Sequence, residues 1–378
     1  MRLAFLVRHF DPRSGGAERY AYEVVLRLSR AHECHVFCVD HVELQGVTFH
    51  QLNRPWRKMR WLGLLKFAIE ASELIRNDHF DAIYSNENAG IGDVQMVHVR
   101  PIRHDLFHRP FIESLINGIK TLLSPRLWCY LSLEFLRFKS QPGRFLVSPS
   151  EMTAHQLIHD LGHERSMVKI VLPGVQERKV DIDRIDCRSQ IGLASDHWLM
   201  LMAAHDLEKK GLSTVLQAMQ QLPEDVHLLC TQDRERKSHW ESKVKSLGLS
   251  HRVHWLSKSI DLDVAYSIAD VLVHPTKADV YGMVLIEAMS HDLPVICTPA
   301  PYCGAAWSWM HKKQAWLLQS PEDVRGLTQG VIELRQDKRL RSELIQAGKL
   351  LVNQQNWEDV AQAIEDLLIQ SHRNQTHP

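Results

Sequence analysis

The stretch that decides the fold is residues 274–298, which read HPTKADVYGMVLIEAMSHDLPVICT. Residues 271–274 form the short β-branched run of a strand, and residues 277–282 are polar and turn-like. The apolar side chains that follow fall on one face at helical spacing: Val284, Leu285, Ala288 and Met289. The stretch therefore predicts a strand, a loop and a helix in succession, with Gly282 opening the helix.

Two acids flank this helix start. Asp279 and Glu287 are separated by seven residues, so Glu287 lies further along the helix, where it can reach a sugar hydroxyl. A helix N-terminus presents unpaired N–H groups and a partial positive charge that suit phosphate. Together these features indicate a nucleotide-sugar site. An ordinary βαβ unit with two acids near a helix start would look similar, so the interpretation needs support from the rest of the chain.

The segment resembles the donor-binding motif of the retaining GT-B glycosyltransferases of family 4. That motif has two glutamates separated by seven residues, followed by an Ala-Met helix and a Gly-x-Pro-Val turn. Here the first acid is Asp279, and residues 291–295, His-Asp-Leu-Pro-Val, replace the glycine-containing turn. The resemblance implies that Asp279 is a catalytic residue that contacts the donor sugar and that Glu287 contacts the ribose. The donor diphosphate would meet Gly282, Met283 and Val284.

A second part of the same resemblance lies upstream. An apolar run at residues 199–204 leads into His-Asp-Leu-Glu-Lys-Lys-Gly at 205–211, and a helical stripe follows. In the family this strand opens the second domain, and an Arg-Lys-Gly loop after it holds the donor diphosphate. Lys209 and Lys210 match the two cations, so they are assigned to donor binding, with Lys210 also stabilising the leaving group. Adjacent surface lysines are otherwise usually solvated charge, and lysine neutralises phosphate without gripping it bidentately.

The N-terminus supplies the third part. Residues 3–7 are a continuous apolar strand, and the loop at 11–19 contains Gly15 and Gly16 before a helical stripe begins. A buried parallel strand, a glycine pair and a helix are typical of the first unit of a doubly wound domain. The loop is not GxGxxG, which disfavours a nicotinamide cofactor. The resemblance implies that Gly15 and Gly16 let backbone approach the donor, although glycines can also serve only to permit a turn.

Histidines are numerous, and one is singled out by its position. His98 lies at the C-terminal end of the predicted strand at 95–99, and strand C-termini face the ligand in open α/β sheets. The resemblance places it against the transferred sugar, so it is a candidate catalytic contact to donor or acceptor. His104, His108 and His205 are weaker candidates, because they occupy loops without partners visible in sequence.

Composition limits the class of protein. The 378 residues exceed what one core normally serves, and Lys plus Arg equal Asp plus Glu at 45 each. Balanced charge gives no case for nucleic-acid binding. No run of apolar residues is long enough for a transmembrane helix, and no signal peptide is visible. The seven cysteines show no metal spacing, which favours reduced thiols in a cytoplasmic protein.

No metal or cofactor is expected for the chemistry. The one Asp-x-Asp sequence, at 181–183, lies in the predicted connection between domains, over residues 177–190. Cations and a helix N-terminus can stabilise a departing diphosphate electrostatically. Donor binding by Lys209, Lys210 and the helix at Gly282 therefore predicts metal-independent transfer.

One region of the first half predicts a membrane surface. Residues 100–144 carry eight Lys or Arg against three acids, interleaved with aromatic side chains. Residues 54–61, Arg-Pro-Trp-Arg-Lys-Met-Arg-Trp, form a second basic and aromatic cluster. Such segments bind anionic membranes, although a helix pair that packs its aromatics and solvates its charges is equally compatible.

The whole chain is thus identified as a member of family 4, with an α/β fold of GT-B type: two Rossmann-like doubly wound domains facing an interdomain cleft. The predicted domains are an acceptor domain at 1–175, a donor domain at 176–350 and a C-terminal helix at 351–378 that crosses back. The subgroup resembled is the bacterial lipopolysaccharide core glucosyltransferases. That implies transfer of a hexose from a nucleotide sugar, by analogy a UDP-sugar, to a cell-envelope glycan or glycolipid acceptor, in a cytoplasmic protein on the inner face of the membrane.

Two other functions stay open from the sequence. A GT-B sugar-nucleotide epimerase or a phosphorylase would share the donor motif without needing a basic acceptor surface. A catalytically silent glycan-binding protein is compatible with the departures at Asp279 and His291.

Overall fold

A computed structural model describes residues 1–53, 59–108, 110–176, 182–231, 236–256 and 261–376. The chain divides into two compact units, each described by itself below. Unit 1 comprises Met1–Gly174 and Trp357–Pro378, and unit 2 comprises Val175–Asn356. Residues 351–356, which the sequence grouped with the C-terminal helix, therefore belong to unit 2. Most of the basic cluster at 54–61, and Asp181 of the Asp-x-Asp sequence, lie outside the described residues.

The main sheet of unit 1 is parallel, and its strands are buried except for the two edge strands. The strands of the unit, in chain order, are β1 (Arg2–Leu6), β2 (His9–Phe10), β3 (Glu33–Cys38), β4 (Asp40–His41), β5 (Val47–Gln51), β6 (Ala82–Ser85), β7 (Val94–Met96), β8 (Phe145–Ser148) and β9 (Val168–Ile170). Strands β2 and β4 form a separate pair, and the other seven form the main sheet. The main order is β5-β3-β1-β6-β7-β8-β9. The direction of winding thus reverses between β1 and β6. Residues 3–7 are fully buried, as a continuous apolar run covered on both faces requires.

The helices of unit 1 come from both ends of the chain. They are α1 (Gly16–Leu28), α2 (Arg60–Arg76), α3 (Ile102–Phe107), α4 (Phe111–Leu122), α5 (Pro125–Phe138), α6 (Glu151–His155), continued by a π-helical turn at Gln156–Asp160, and α14 (Trp357–Thr376). The sequence predicted one helical stretch over 111–139. The break falls before Pro125, which lacks an N–H, and the Ser124 hydroxyl caps the new helix.

Helix α14 is part of unit 1. The Trp357 ring packs edge-on against Tyr20 of α1, with ring centroids 5.5 Å apart. Glu365 lies 2.6 Å from His32, and His372 Nδ1 donates to the Asp81 carbonyl oxygen at 2.9 Å. These contacts spread along the helix and fix it against residues from the first 81 positions of the chain.

Unit 2 is a second doubly wound domain. Its strands are β10 (Trp198–Met202), β11 (Val226–Cys230), β12 (Val253–Trp255), β13 (Val271–His274), β14 (Val295–Cys297) and β15 (Trp316–Leu317). Its helices are α7 (Arg184–Gln190), α8 (Leu212–Met219), α9 (Lys237–Ser246), α10 (Leu262–Ile268), α11 (Met283–Ser290), α12 (Val324–Gln336) and α13 (Lys338–Val352). Neighbouring strands of its sheet pair in parallel, in the order β12-β11-β10-β13-β14-β15. Part of the connection predicted at 177–190 is helical, because Asp183 caps α7.

The polypeptide enters and leaves unit 2 at neighbouring points. The Val175 N–H donates to the carbonyl oxygen of Gln355 at 3.0 Å, and the Gln355 side chain accepts from the Tyr281 hydroxyl at 2.7 Å. The two ends of the unit are therefore held together by its own hydrogen bonds.

None of the helices in the described residues combines the length and apolar character needed to cross a bilayer.

The loops after β10 and β13 touch at Gly211. This residue has a φ of 86°, in the left-handed region that favours glycine, and it precedes α8. A Cβ at this position would lie 2.2 Å from the carbonyl oxygen of Pro275. Beside it, the Lys277 N–H donates to the Lys209 carbonyl oxygen at 2.9 Å. The missing side chain of Gly211 therefore sets the separation of the two loops.

We expect Gly211→Ala to destabilise unit 2 by about 3 kcal/mol, from left-handed strain plus overpacking against Pro275. Gly248→Ala is the matched control, since Gly248 has a φ of 73° but nothing within 4 Å of a built Cβ. The control should cost about 1 kcal/mol from strain alone. Urea unfolding of both variants measures the difference, and equal costs would show that the contact with Pro275 does not matter.

Unit 2 also contains a stack of three imidazoles. The rings of His197 and His227 are 4.1 Å apart, and His227 Nδ1 lies 3.0 Å from His254 Nε2. Burial, with the charges of His197 and His254, lowers the pKa of His227 to about 4. An unfolded histidine titrates near ~6.5, so the unfolded state binds the proton first as pH falls. The stability from a neutral His227 is present above about pH 6.5 and is lost toward pH 4.

We therefore expect His227→Leu to cost less stability at pH 5.0 than at pH 7.5, because acid already penalises the native histidine. Urea midpoints at the two pH values measure this. The control is His239→Ala, an exposed histidine on α9 outside the stack. A cost of His227→Leu that does not change with pH would contradict the assignment.

Candidate active site

The predicted donor residues of unit 2 gather where its winding reverses. Strand β10 lies between β11 and β13. The connection after β10 leads to β11 on one side, and the connection after β13 leads to β14 on the other side. In open parallel sheets the crevice outside the strand C-termini at this point is where ligands bind. Lys209 and Lys210 follow β10, and Asp279 follows β13. The structure thus brings together two motifs that are about 70 residues apart in the chain.

Lys210, Asp279 and His274 form one hydrogen-bonded group. The Lys210 ammonium donates to Asp279 Oδ2, and its Nζ lies 3.5 Å from the Ala278 carbonyl oxygen. His274 Nε2 lies 3.1 Å from the same Oδ2 atom. Asp279 is one-fifth exposed, whereas His274 is buried. Both donors therefore hold one oxygen of a carboxylate whose other oxygen has no donor among the described residues.

The electrostatics of this group keep Asp279 ionised. Burial by itself would raise the pKa of Asp279, but the hydrogen bond from His274 and the charge of Lys210 outweigh it and hold the pKa well below its usual range. Burial lowers the pKa of His274, against the hydrogen bond to Asp279. A neutral His274 must carry its proton on Nε2 to donate, which leaves Nδ1 as an unpartnered buried acceptor. The group is thus an ion pair steadied by a neutral imidazole.

Lys209 is placed differently from its neighbour. Its side chain is exposed and has no acceptor among the described residues, whereas its backbone is bonded to both Asp206 and Lys277. The loop is therefore fixed while the ammonium is available to a ligand. Of the two predicted phosphate-binding lysines, Lys209 is the uncommitted cation.

Gly282 places a helix N-terminus beside Asp279. It has a φ of 101°, and a Cβ there would lie 2.9 Å from Cys303 Sγ and 3.6 Å from Asp279 Oδ2. The close packing and the left-handed backbone both require glycine. Met283 and Val284 form the first turn of α11, where N–H groups have no partner within the helix. The predicted phosphate-binding backbone therefore lies next to the predicted sugar-binding carboxylate.

Glu287 lies further along α11 and is half-buried. The Tyr266 hydroxyl of α10 donates to its Oε2 atom at 2.9 Å. This contact orients the carboxylate and comes from a part of the sequence that no motif marked. Asp279 thus lies in the loop before α11, and Glu287 lies on the helix itself.

In unit 1 the predicted glycine loop follows β1. Gly15 has a φ of 167°, which any residue adopts, and a Cβ there would meet only the flexible end of Glu18 at 2.6 Å. Gly16 is exposed and is the first residue of α1. Neither glycine has a left-handed backbone, so strain does not explain the pair, and access for a ligand stays a prediction.

His98 follows β7 and is held neutral. Burial, together with the charges of Arg137 and Arg8, lowers the pKa of His98 to about 3. Its Nδ1 atom is buried without a hydrogen-bond partner among the described residues. An imidazole with so low a pKa is a weak general base near neutral pH. The low pKa therefore disfavours His98 as the proton acceptor of the reaction, and its role as a hydrogen-bonding contact stays a prediction.

Sequence reasoning missed the pair at the winding reversal of unit 1. Arg8, directly after β1, donates from its backbone N–H to Glu87 Oε1 at 3.0 Å and from Nε to Oε2 at 2.6 Å. Glu87 follows β6, and the neighbouring Asn86 side chain donates to the Ala17 carbonyl oxygen at 3.1 Å. The signal that could have found them is their position just beyond two adjacent strands. No motif links the three residues in sequence.

Comparison with known families covers most of the chain. A Glycosyltransferase Family 4 model matches residues 14–179, and a Glycosyl transferases group 1 model matches residues 183–351. The lipopolysaccharide glucosyltransferase WaaG of Escherichia coli is 32% identical over 200 residues, a stretch that spans 50% of this chain and about half, 52%, of that relative. An uncharacterised glycosyltransferase of Methanocaldococcus jannaschii is 21% identical and covers 96% of both chains.

Solved structures share the fold over nearly the whole length. The crystal structure of WaaG, described as a glycosyltransferase involved in lipopolysaccharide biosynthesis, superposes with a TM-score of 0.84 at 19% identity, covering 97% of this chain and 99% of that one. The Anabaena protein HepE, crystallised with UDP-glucose, gives a TM-score of 0.75 at 16% identity and the same coverage. These matches confirm the predicted family resemblance and the two Rossmann-like domains. The chain belongs to the GT-B glycosyltransferases, with a family 4 region followed by a group 1 region.

Proposed function

We propose that this glycosyltransferase moves a hexose, with retention of configuration, from a UDP-sugar to a lipopolysaccharide-core or other cell-envelope glycan. The observation that carries the proposal is the Lys210–Asp279–His274 group at the winding reversal of unit 2. It combines a fixed carboxylate for sugar hydroxyls with cations and helix N–H groups for a diphosphate. The choice of UDP is supported by HepE, which was solved with UDP-glucose, and the acceptor class by WaaG.

Asp279 would recognise the donor sugar through its second oxygen. Because Lys210 and His274 both donate to Oδ2, the plane of the carboxylate is fixed and Oδ1 is the atom offered to a hydroxyl. Pre-orientation of this kind lowers the entropic cost of binding. It also offsets the shorter side chain that stands where the family has glutamate.

The leaving diphosphate would be stabilised without a metal. Lys209 supplies an uncommitted cation, and the N-terminus of α11 supplies N–H groups and a partial positive charge. Donors fixed in advance stabilise developing negative charge at little reorganisation cost. Treatment with a chelator should therefore leave the donor reaction unchanged.

Activity against a panel of nucleotide sugars, with lipopolysaccharide-type and lipid-linked acceptors, tests the function directly. We expect Lys210→Ala and Glu287→Ala to lower turnover at least about 100-fold, the scale for losing an electrostatic contact in a transition state. Lys277→Ala is the matched control, since Lys277 is an exposed lysine on the adjacent loop that pairs with Glu208. It should retain turnover within about twofold.

Three outcomes of that panel would contradict the proposal. Full activity of Lys210→Ala or Glu287→Ala in folded protein would remove the site assignment. Release or interconversion of sugar without any acceptor would favour an epimerase-like reaction. No turnover of any nucleotide sugar, with glycan binding retained, would indicate a catalytically silent protein.

We further propose that unit 1 binds the cytoplasmic face of an anionic membrane, where a glycolipid acceptor would be found. Helix α4 is the main support, because Thr121 is its only buried residue. Its apolar side chains are exposed, with Phe111 82% exposed. The exposed apolar residues from α4 to α5 are Phe111, Ile112, Leu115, Ile116, Ile119, Leu122, Leu123, Trp128, Phe135 and Leu136. An apolar helical face of this size suits the interface of a bilayer.

The net charge of this region stays at the surface, because the two buried charged residues, Glu134 and Arg137, have opposite signs. Lys120, Arg126 and Lys139 are exposed, as a membrane contact requires. Arg137 is buried and donates to the Met96 carbonyl oxygen, and Phe138 is buried as well. Arg109 lies outside the described residues. Membrane binding would therefore combine apolar insertion by α4 with the attraction of the exposed cations to anionic lipid.

Vesicle binding tests this second proposal. We expect binding to vesicles containing phosphatidylglycerol that weakens as salt rises, because salt screens the exposed lysines and arginines. The double variant Ile112→Glu, Leu115→Glu should bind more than about tenfold more weakly, since it loses two insertions and adds repulsion. Leu350→Glu, on an exposed leucine of α13 in unit 2, is the matched control and should bind normally. Equal binding to neutral and anionic vesicles, or no effect of the double variant, would contradict the proposal.

A further inference from the structure

A cluster of two imidazoles and a carboxylate lies in unit 1, and none of its three residues is assigned to the donor. His104 belongs to α3, His108 follows its last turn, and Asp160 ends the π-helical turn. His104 Nε2 lies 3.1 Å from Asp160 Oδ2, and His108 Nε2 lies 3.7 Å from Asp160 Oδ1. The sequence marked these histidines as loop residues without visible partners, and Asp160 is the partner that folding supplies.

The arrangement has the spacing of a metal site. The two histidines are four residues apart, and their rings stack with centroids 4.9 Å apart and planes 18° apart. Both Nε2 atoms therefore face the same carboxylate. One ligand atom from each of the three residues lies within 4.8 Å of the other two. Ligands at ~2.1 Å from a tetrahedral ion are about 3.4 Å apart, so small side-chain rotations would close the set.

His104 also has a partner suited to the metal-bound form. Its Nδ1 atom is buried without a hydrogen bond among the described residues, and Asp105 Oδ1 lies 3.7 Å away. When Nε2 donates to Asp160, Nδ1 holds a lone pair that finds no donor. If Nε2 bound a cation instead, the proton would move to Nδ1 and face the Asp105 carboxylate. Histidine ligands commonly have such a carboxylate behind them, which fixes their tautomer.

We propose that His104, His108 and Asp160 bind one divalent cation of the zinc class, with solvent at the fourth position. Two imidazole nitrogens and one carboxylate oxygen suit Zn²⁺, whereas Mg²⁺ and Ca²⁺ prefer sets made of oxygen alone. His104 and Asp160 are 14% and 17% exposed, and His108 is 58% exposed, so the site is backed by protein and open on one side. The ion would fasten the end of α3, from which the chain continues into α4, to the turn after α6.

The experiment measures metal bound by the full-length chain and by variants of the cluster. After dialysis against buffered trace Zn²⁺, elemental analysis should show about one equivalent more in the native chain than in His108→Ala or Asp160→Asn. His108→Ala is the decisive variant, because the exposed side chain can be removed with little effect on packing. His251→Ala is the control, since His251 lies 3.1 Å from Glu224 but belongs to no cluster of three possible metal ligands among the described residues. It should bind as much as the native chain.

Two further readouts separate this site from other zinc binding. Co²⁺ should give the visible absorption of a tetrahedral site in the native chain and not in His108→Ala, without the near-ultraviolet bands of cysteine thiolate ligation. Zn²⁺ should raise the unfolding temperature of the native chain and of His251→Ala but not of His108→Ala. Equal zinc content in the native chain and in folded His108→Ala, or a Co²⁺ spectrum that this variant retains, would overturn the proposal.

Discussion

The candidate active site depends on how closely two loops approach each other where the chain leaves two neighbouring parallel strands in opposite directions. At the reversal between β10 and β13, the loop carrying Lys209 and Lys210 must lie on the loop carrying Asp279. The backbone of Gly211 lies against the carbonyl oxygen of Pro275, where a single added carbon would be only 2.2 Å away. Gly282 likewise allows close packing by its lack of a side chain, and it brings the N-terminus of α11 beside the Asp279 carboxylate. Two positions without side chains thus determine the distance between a cation, an anion and a helix dipole.

How much of this was visible in the sequence depends on how local each feature is. Strand–loop–helix patterns were readable around Lys210, Asp279 and Glu287, because hydrophobic periodicity and glycine position are properties of adjacent residues. The sequence predicted His274 at the end of a strand, but it did not predict the hydrogen bond to Asp279, which depends on the turn between the two residues. The Arg8–Glu87 pair joins residues 79 apart. No local pattern encodes a contact that exists only after two strands pair, so such residues emerge from topology alone.

The basic and aromatic region shows the opposite limit. Composition identified residues 100–144 as unusual, yet it could not tell which side chains face water. Arg137 and Phe138 turned inward, while the apolar residues of α4 turned outward. Binary patterning predicts that a helix has an apolar face, and it is silent on whether another element covers that face. A count of charges therefore understated the apolar character of this surface.

Unit 2 is an insertion within unit 1, and the hydrogen bond between Val175 and Gln355 joins its two ends. During synthesis, residues 1–174 emerge first but lack α14, whose Trp357 covers Tyr20. At ribosomal rates, the intervening residues take roughly 10 to 40 seconds to appear. Unit 2 can complete its sheet in that interval, whereas unit 1 waits with part of its apolar surface open to water. The half of the protein that is begun first is thus finished last, because Tyr20 is covered only after Trp357 has been made.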